Sequence, residues 1–191
     1  MSLDLLEGPA VEPVSLSDAK AHLRVDGTAE DAFISTLIIT SRLHVEAALG
    51  IALVSQRWAW RIDAWPASGG VVLPLRPMIS VDAVRVTPAT GSPVVVDAAT
   101  YLVDGGGNPT RLVPKACALP APGVPIQGIE IELTAGFGDG AEDVPAPIRQ
   151  AILLLIAHWY ENREPVAIDA KPANVPAMVS ELLQPYRTVR L

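Results

Sequence analysis

The side chains in this sequence that could do chemistry are few and scattered. His22, His44 and His158 each fall on or beside a stretch with helical periodicity. A metal or catalytic set would need two of them to meet a carboxylate in space. Neither an H-E-x-x-H nor a G-x-S-x-G pattern occurs, so we read the histidines as solvated or core-edge residues. Cys117 is the single cysteine, which excludes an intramolecular disulfide and a thiolate metal cluster. It lies in a Pro/Ala loop with Lys115 as its only basic neighbour, a weak setting for an activated thiolate.

Three further clusters invite a functional reading. Gly105-Gly106-Gly107 looks like part of a phosphate loop, but no G-K-[ST] follows and strands flank it, which points to a hairpin turn. Asp139, Glu142 and Asp143 gather in the glycine-rich stretch 136–143. Their spacing is not that of an EF-hand, so we expect a solvated turn that caps the helix beginning at Val144. Trp58, Trp60 and Trp65 share one strand, where a stacking platform competes with a sheet core or subunit contact; we favour the latter. No catalytic, cofactor-binding or metal-ligating residue is assigned.

The elements that carry these residues follow from periodicity. Val144–Glu164 reads as the central helix. Pro145 and Pro147 sit in its first turn, Ile148, Ala151, Ile152, Leu155 and Trp159 form one apolar face, and Pro165 stops it. Leu153, Leu154 and Ile156 widen that face until the helix must be covered on more than one side. Thr28–Gly50 reads as a second long helix, with Gly50 as its left-handed stop. A short helix runs from Ser15 or Ser17 to Leu23 and ends at Asp26-Gly27. Residues 1–14 read as an extended or loosely held arm. Between the long helices the period changes to two. Strands are expected at 55–65, 70–75, 80–87, 94–97, 101–104, 110–114 and 128–135. A last short helix lies within 175–183, closed by Pro185, before a tail with Tyr186, Arg187 and Arg190.

Composition narrows the function. The chain has 191 residues, half of them hydrophobic at 50%, enough for a core with a subdomain. Its net charge of -7, from 14 basic and 21 acidic residues, argues against a dedicated nucleic-acid binder. The N-terminus lacks the basic and apolar regions of a secretory signal. The apolar run of the central helix is shorter than the roughly 20 residues a bilayer span needs. No membrane partner is expected.

Taken in order, several stretches resemble the head–tail connector (adaptor) family of long-tailed bacteriophages and phage-like gene transfer agents. They are Val14 to Val25, Val45 to Gly50, Gln56-Arg57-Trp58, Pro74-Leu75-Arg76-Pro77, Gly136-Phe137-Gly138, Val144 to Ile152, Trp159 to Glu164 and Leu182 to Arg187. The resemblance spans most of the chain, and its specificity lies in the joint order. It implies a structural virion protein that forms a ring, commonly a dodecamer, under the portal. The ring would extend the DNA channel without binding DNA specifically and dock the next tail-side component, a stopper. It also implies a place at the head–tail junction, assembly in the bacterial cytoplasm and no cofactor.

The expected fold is therefore α+β, a small core of long antiparallel helices with an inserted antiparallel β module and an extended C-terminal arm. The boundaries are 1–54 for the N-terminal arm and helices, 55–137 for the β module, 138–165 for the completing helix and 166–191 for the arm. The arm is the family's usual portal contact, here Met178, Leu182, Leu183, Pro185, Tyr186, Arg187 and Arg190. Leu153, Leu154 and Ile156 are expected at a subunit interface. Two alternatives stand beside this reading: another tail-junction component, such as a stopper or tail-completion protein, and a ligand-binding or hydrolytic enzyme built on the tryptophan strand and the Asp139/Glu142/Asp143 loop.

Overall fold

A computed structural model describes residues 1–67, 69–105, 109–115, 119–163 and 176–187. Cys117, Pro165 and Arg190 lie outside them. The architecture is α+β, as expected, and the chain divides into two compact units: Met1–Ala10 with Gly50–Phe137, and Val11–Leu49 with Gly138–Leu191.

The helical unit contains α1 (Leu16–Leu23), α2 (Asp31–Leu49), α3 (Ala146–Glu161) and α4 (Ala177–Leu183). Ser15 caps α1, its Oγ accepting from the Asp18 N–H at 3.1 Å. Arg24 takes the left-handed position that ends α1, so the helix stops before the expected Asp26-Gly27. Gly50 supplies the expected left-handed stop to α2, with φ of 63°.

Asp143 does not cap α3. Its Oδ2 accepts from the Gly140 N–H at 2.9 Å and holds the 3₁₀ turn 141–143, while Pro145 and Pro147 open the helix. α3 ends at Glu161, where both the backbone N–H and the side-chain amide of Asn162 donate to the His158 carbonyl.

The cover for α3 comes from within the unit. α2 and α4 both pack along it, and α1 touches it as well. Ile148, Ala151, Ile152, Leu155 and Ile156 are all buried, against a core that includes Ile34, Ile38, Val45, Val179 and Leu183. α2 is by length and composition long and apolar enough to cross a membrane. Ile34, Leu37, Ile38, Val45 and Leu49 instead fill the helical core.

The strand unit holds a five-stranded antiparallel sheet, ordered β1-β2-β8-β4-β5, and a three-stranded sheet, ordered β3-β7-β6. The strands are β1 (Ser2–Glu7), β2 (Gln56–Ile62), β3 (Val71–Val72), β4 (Met78–Val86), β5 (Val94–Val95), β6 (Tyr101–Asp104), β7 (Arg111–Pro114) and β8 (Ile129–Ala135). β1 is the element that sequence reading passed over. The segment expected as a loose arm pairs with β2 from Ser2↔Arg61 to Glu7↔Arg57 and so belongs to the sheet, not to the helices. Its alternation is blurred by a bulge at Leu6, which breaks the period-two signal.

Register sorts the large sheet into two faces. Trp58↔Leu133, Trp60↔Ile131 and Ile62↔Ile129 face the core, joined by Val81, Val84 and Val86 of β4. Gly136, with φ of 149°, is required where β8 ends, because a Cβ there would stand 2.6 Å from the Ser55 nitrogen.

Candidate assembly surfaces

Among the described residues the three histidines do not converge. His44 stands edge-on to Trp159 at 5.6 Å, His158 lies on α3, and His22 lines a groove between α1 and α3. Among the described residues no three His, Cys, Asp or Glu side chains could hold a metal ion. Glu142 and Asp143 sit exposed on their turn. Trp58, Trp60 and Trp65 belong to the sheet core: Trp60 is buried, Trp58 and Trp65 pack against the same cluster, and the Trp65 indole donates to the Pro120 carbonyl at 2.8 Å.

Two expected interface residues are withdrawn by burial. Ile156 is 0% exposed inside the helical unit, so it cannot reach a neighbour, although Leu153 and Leu154 beside it are half-buried. The pattern that widened the α3 face is satisfied partly by α4. Leu183, only 4% exposed, is likewise a core residue, because α4 packs onto α3 and is not an extended arm. Met178, Pro185 and Arg187 are exposed, and Leu182 and Tyr186 half-exposed.

The outer face of the five-stranded sheet is a ladder of paired charges. Arg61 binds Asp4 and Glu130, Arg85 binds Glu130 at 3.0 Å and Glu132 at 2.6 Å, and Arg57 approaches Glu7 and Glu132. The Glu132 hydrogen bond is the main reason the Arg85 guanidinium is held above its ordinary pKa, against a smaller opposing effect of burial.

In the helical unit Arg42 plays a different part. Its Nε and Nη2 bind Glu12 at 2.8 and 3.3 Å, and its Nη1 binds Glu46 at 2.9 Å. This ties the chain before α1 to the flank of α2. Burial acts to lower the Arg42 pKa, but the Glu12 hydrogen bond and both carboxylate charges outweigh it and raise it. A second cluster closes the far end of α3. Glu30 accepts from the Tyr160 hydroxyl and from Arg163 at 2.6 Å, while the Arg163 guanidinium lies 4.6 Å from the Phe33 ring centre and 4.8 Å from that of Tyr160.

The exposed stripe of α2 carries no charge at all. Ala32, Thr36, Ile39, Thr40, Leu43 and Ala47 recur at helical spacing along it, all exposed. Neither Ile39 nor Leu43 is among the residues that the sequence pattern singles out. The missing charges on the outer face were the available signal.

Comparison with known proteins points to an assembly role for these packing surfaces. Residues 13–88 match the family model described as phage gp6-like head–tail connector protein. No curated protein matches the sequence. Among solved structures, a chain in the neck of an empty GTA (gene transfer agent) particle is 28% identical with a TM-score of 0.82. A chain in the virion of a native GTA particle is 27% identical with the same TM-score of 0.82. A third, in the neck of a native GTA particle computed with C12 symmetry, is 29% identical with a TM-score of 0.73. In each case the match covers 100% of this chain and 97% of the other. The resemblance read from the order of the sequence motifs thus holds in the family model over residues 13–88 and in the fold, and both findings support a structural head–tail connector subunit.

Proposed function

We propose that this chain forms a ring of about twelve copies at the head–tail junction of a phage-like particle, between the portal and the next tail-side component. The observation that carries this reading is the full-length likeness to neck chains, 100% of this chain being covered in a neck computed with C12 symmetry. The acidic excess supports a conduit role. Each neutralised phosphate adds salt-dependent affinity, so a wall that lets DNA slide should not be basic. A net charge of -7 repeated around a ring keeps DNA off the wall.

In this reading the portal is met by Met178, Leu182, Pro185, Tyr186 and Arg187, which lie on or just after α4 and keep surface exposure. An exposed methionine beside an aromatic and an arginine suits an anchor, since such residues dominate interface energetics. Leu183 supports the set from beneath. The protein's work is packing and docking, not catalysis, and assembly takes place in the bacterial cytoplasm.

Imaging particles made without this chain tests the proposal. The expected result is loss of the ring touching the portal, with tails detached from heads. An intact ring in that position overturns it, and loss of a layer one step further from the portal assigns the chain to the stopper position.

A further inference from the structure

We infer that the uncharged outer stripe of α2 in one copy of this chain seats in the groove between α1 and α3 of the next copy. The inference rests on the ring reading above and assigns its subunit contact to named faces.

The stripe is built to leave water. Ile39 and Leu43, one turn apart, are 42% and 52% exposed, and small or hydroxyl residues flank them. The hydroxyls are already satisfied within the helix. Thr36 Oγ1 donates to the Ala32 carbonyl at 3.0 Å, and Thr40 Oγ1 to the Thr36 carbonyl at 2.8 Å. Covering them therefore strands no donor. The charges that α2 does carry towards its flank, Arg42 and Glu46, pair with each other and with Glu12. A solvated helix face of this length ordinarily carries Lys or Glu, and this one carries neither.

The groove is its counterpart. It measures about 490 Å³ and is lined by Val14, Ala21, Leu153, Asp18, His22 and Arg149 among others. It has room for two branched aliphatic side chains and offers both an apolar floor and a nearly balanced set of charges. Arg149 lines the groove, and its Nε, covered within the single subunit, has no hydrogen-bond partner there. The threonine oxygens of the α2 stripe, having given their hydrogens to the helix, keep lone pairs that can accept.

Position completes the case. α1, α2 and α3 each touch the other two, and no α2 residue lines the groove. In three mutually packed helices the outer groove of one pair and the outer face of the third point in roughly opposite directions. A ridge and a groove on opposite sides of one unit make a heterologous contact, the type that closes into a ring and not a two-fold dimer.

Paired cysteines in assembled particles test the contact. Leu43→Cys and Ala21→Cys are placed in one chain that also carries Cys117→Ala, with each single variant in the same background as control, and the neck is imaged in the same particles. Oxidation should give a ladder of linked subunits in the double variant and in neither single one. A ring visible by imaging without that ladder overturns this contact and leaves the ring reading intact. A neck with no ring of this chain overturns both. Leu43→Glu gives an independent readout: an unchanged unfolding midpoint with exclusion from the ring is expected, and incorporation at the normal copy number overturns the contact.

Discussion

The outer face of the five-stranded sheet and the outer stripe of α2 are both exposed, yet they are finished in opposite ways. On the sheet, Arg57, Arg61 and Arg85 alternate with Glu130 and Glu132 across three strands, and each charge has a partner. On α2, the exposed residues Ala32, Thr36, Ile39, Thr40, Leu43 and Ala47 carry no formal charge. Cross-strand ion pairs keep a sheet face wetted and hold its register. A neutral helix stripe with internally bonded hydroxyls loses little when water leaves. The placement of charge thus separates a face finished for solvent from one finished for protein.

The comparison requires that the helical unit be stable in itself, with α4 as part of it. The largest expected effect tests this. Leu183→Ala removes a nearly buried side chain between α4 and α3 and should cost about 2–4 kcal/mol. Urea unfolding measures it, and Met178→Ala serves as the surface control, expected to lie within about 0.5 kcal/mol of the unsubstituted protein. Equal effects for the two would mean that α4 is a loose arm after all. The same packing means that deleting the chain from Ala177 onward uncovers α3, so the loss of portal binding in such a truncation would be confounded by instability.

Arg42 comes next. Arg42→Ala leaves Glu12 and Glu46 facing each other on the flank of α2 and should cost about 2–3 kcal/mol. Hydrogen exchange should show lost protection in the chain before α1 and in the middle of α2. A change confined to the strand unit would contradict the assignment.

How much of this was legible in the sequence depended on whether a local pattern had a single structural cause. Helical periodicity located α2 and α3 because their buried faces are long, and alternation located β2 and β8 because one face of each is apolar throughout. Gly50 announced its turn through the one conformation that favours glycine. The failures share a cause too. β1 was missed because the bulge at Leu6 interrupts its alternation. Asp143 was assigned to the wrong turn because a carboxylate can cap either of two adjacent turns, and only the Gly140 N–H settles which. Ile156 and Leu183 looked like interface residues because sequence shows that a helix needs cover without showing that α3 and α4 cover each other. The connector assignment itself needed the order of many weak motifs, none decisive alone.

A smaller effect is expected on the sheet. Arg85→Ala breaks two links of the ladder at side chains that are 20–29% exposed, and should cost about 1 kcal/mol or less. The loss should shrink as salt is raised, because ion pairs at a surface are screened. By contrast, Leu43→Glu should be almost neutral for the free subunit and decisive for assembly. If Arg85→Ala abolished ring formation while Leu43→Glu did not, the roles given to the two faces would be reversed.

The smallest effect reads out through pH. Glu30 receives hydrogen bonds first from Tyr160 and then from Arg163, and together with the Arg163 charge they hold its carboxyl below the ordinary value of 4.5, against a smaller opposing effect of burial. The unfolded chain has no such partners, so the folded state binds this proton less readily. The resulting stability is fully present above the ordinary value and is lost as pH falls through the depressed folded value. Glu30→Gln removes the titrating group while keeping an acceptor. The stability difference between the unsubstituted protein and this variant should therefore narrow as the medium is acidified from neutral. Tyr160→Phe removes the larger of the two hydrogen bonds and should move the Glu30 titration upward towards its ordinary position, as followed by carboxyl NMR. Arg163, stacked over Phe33, would keep part of the shift. A difference that stays flat across the acidic range would show that this cluster closes the end of α3 by ring packing alone.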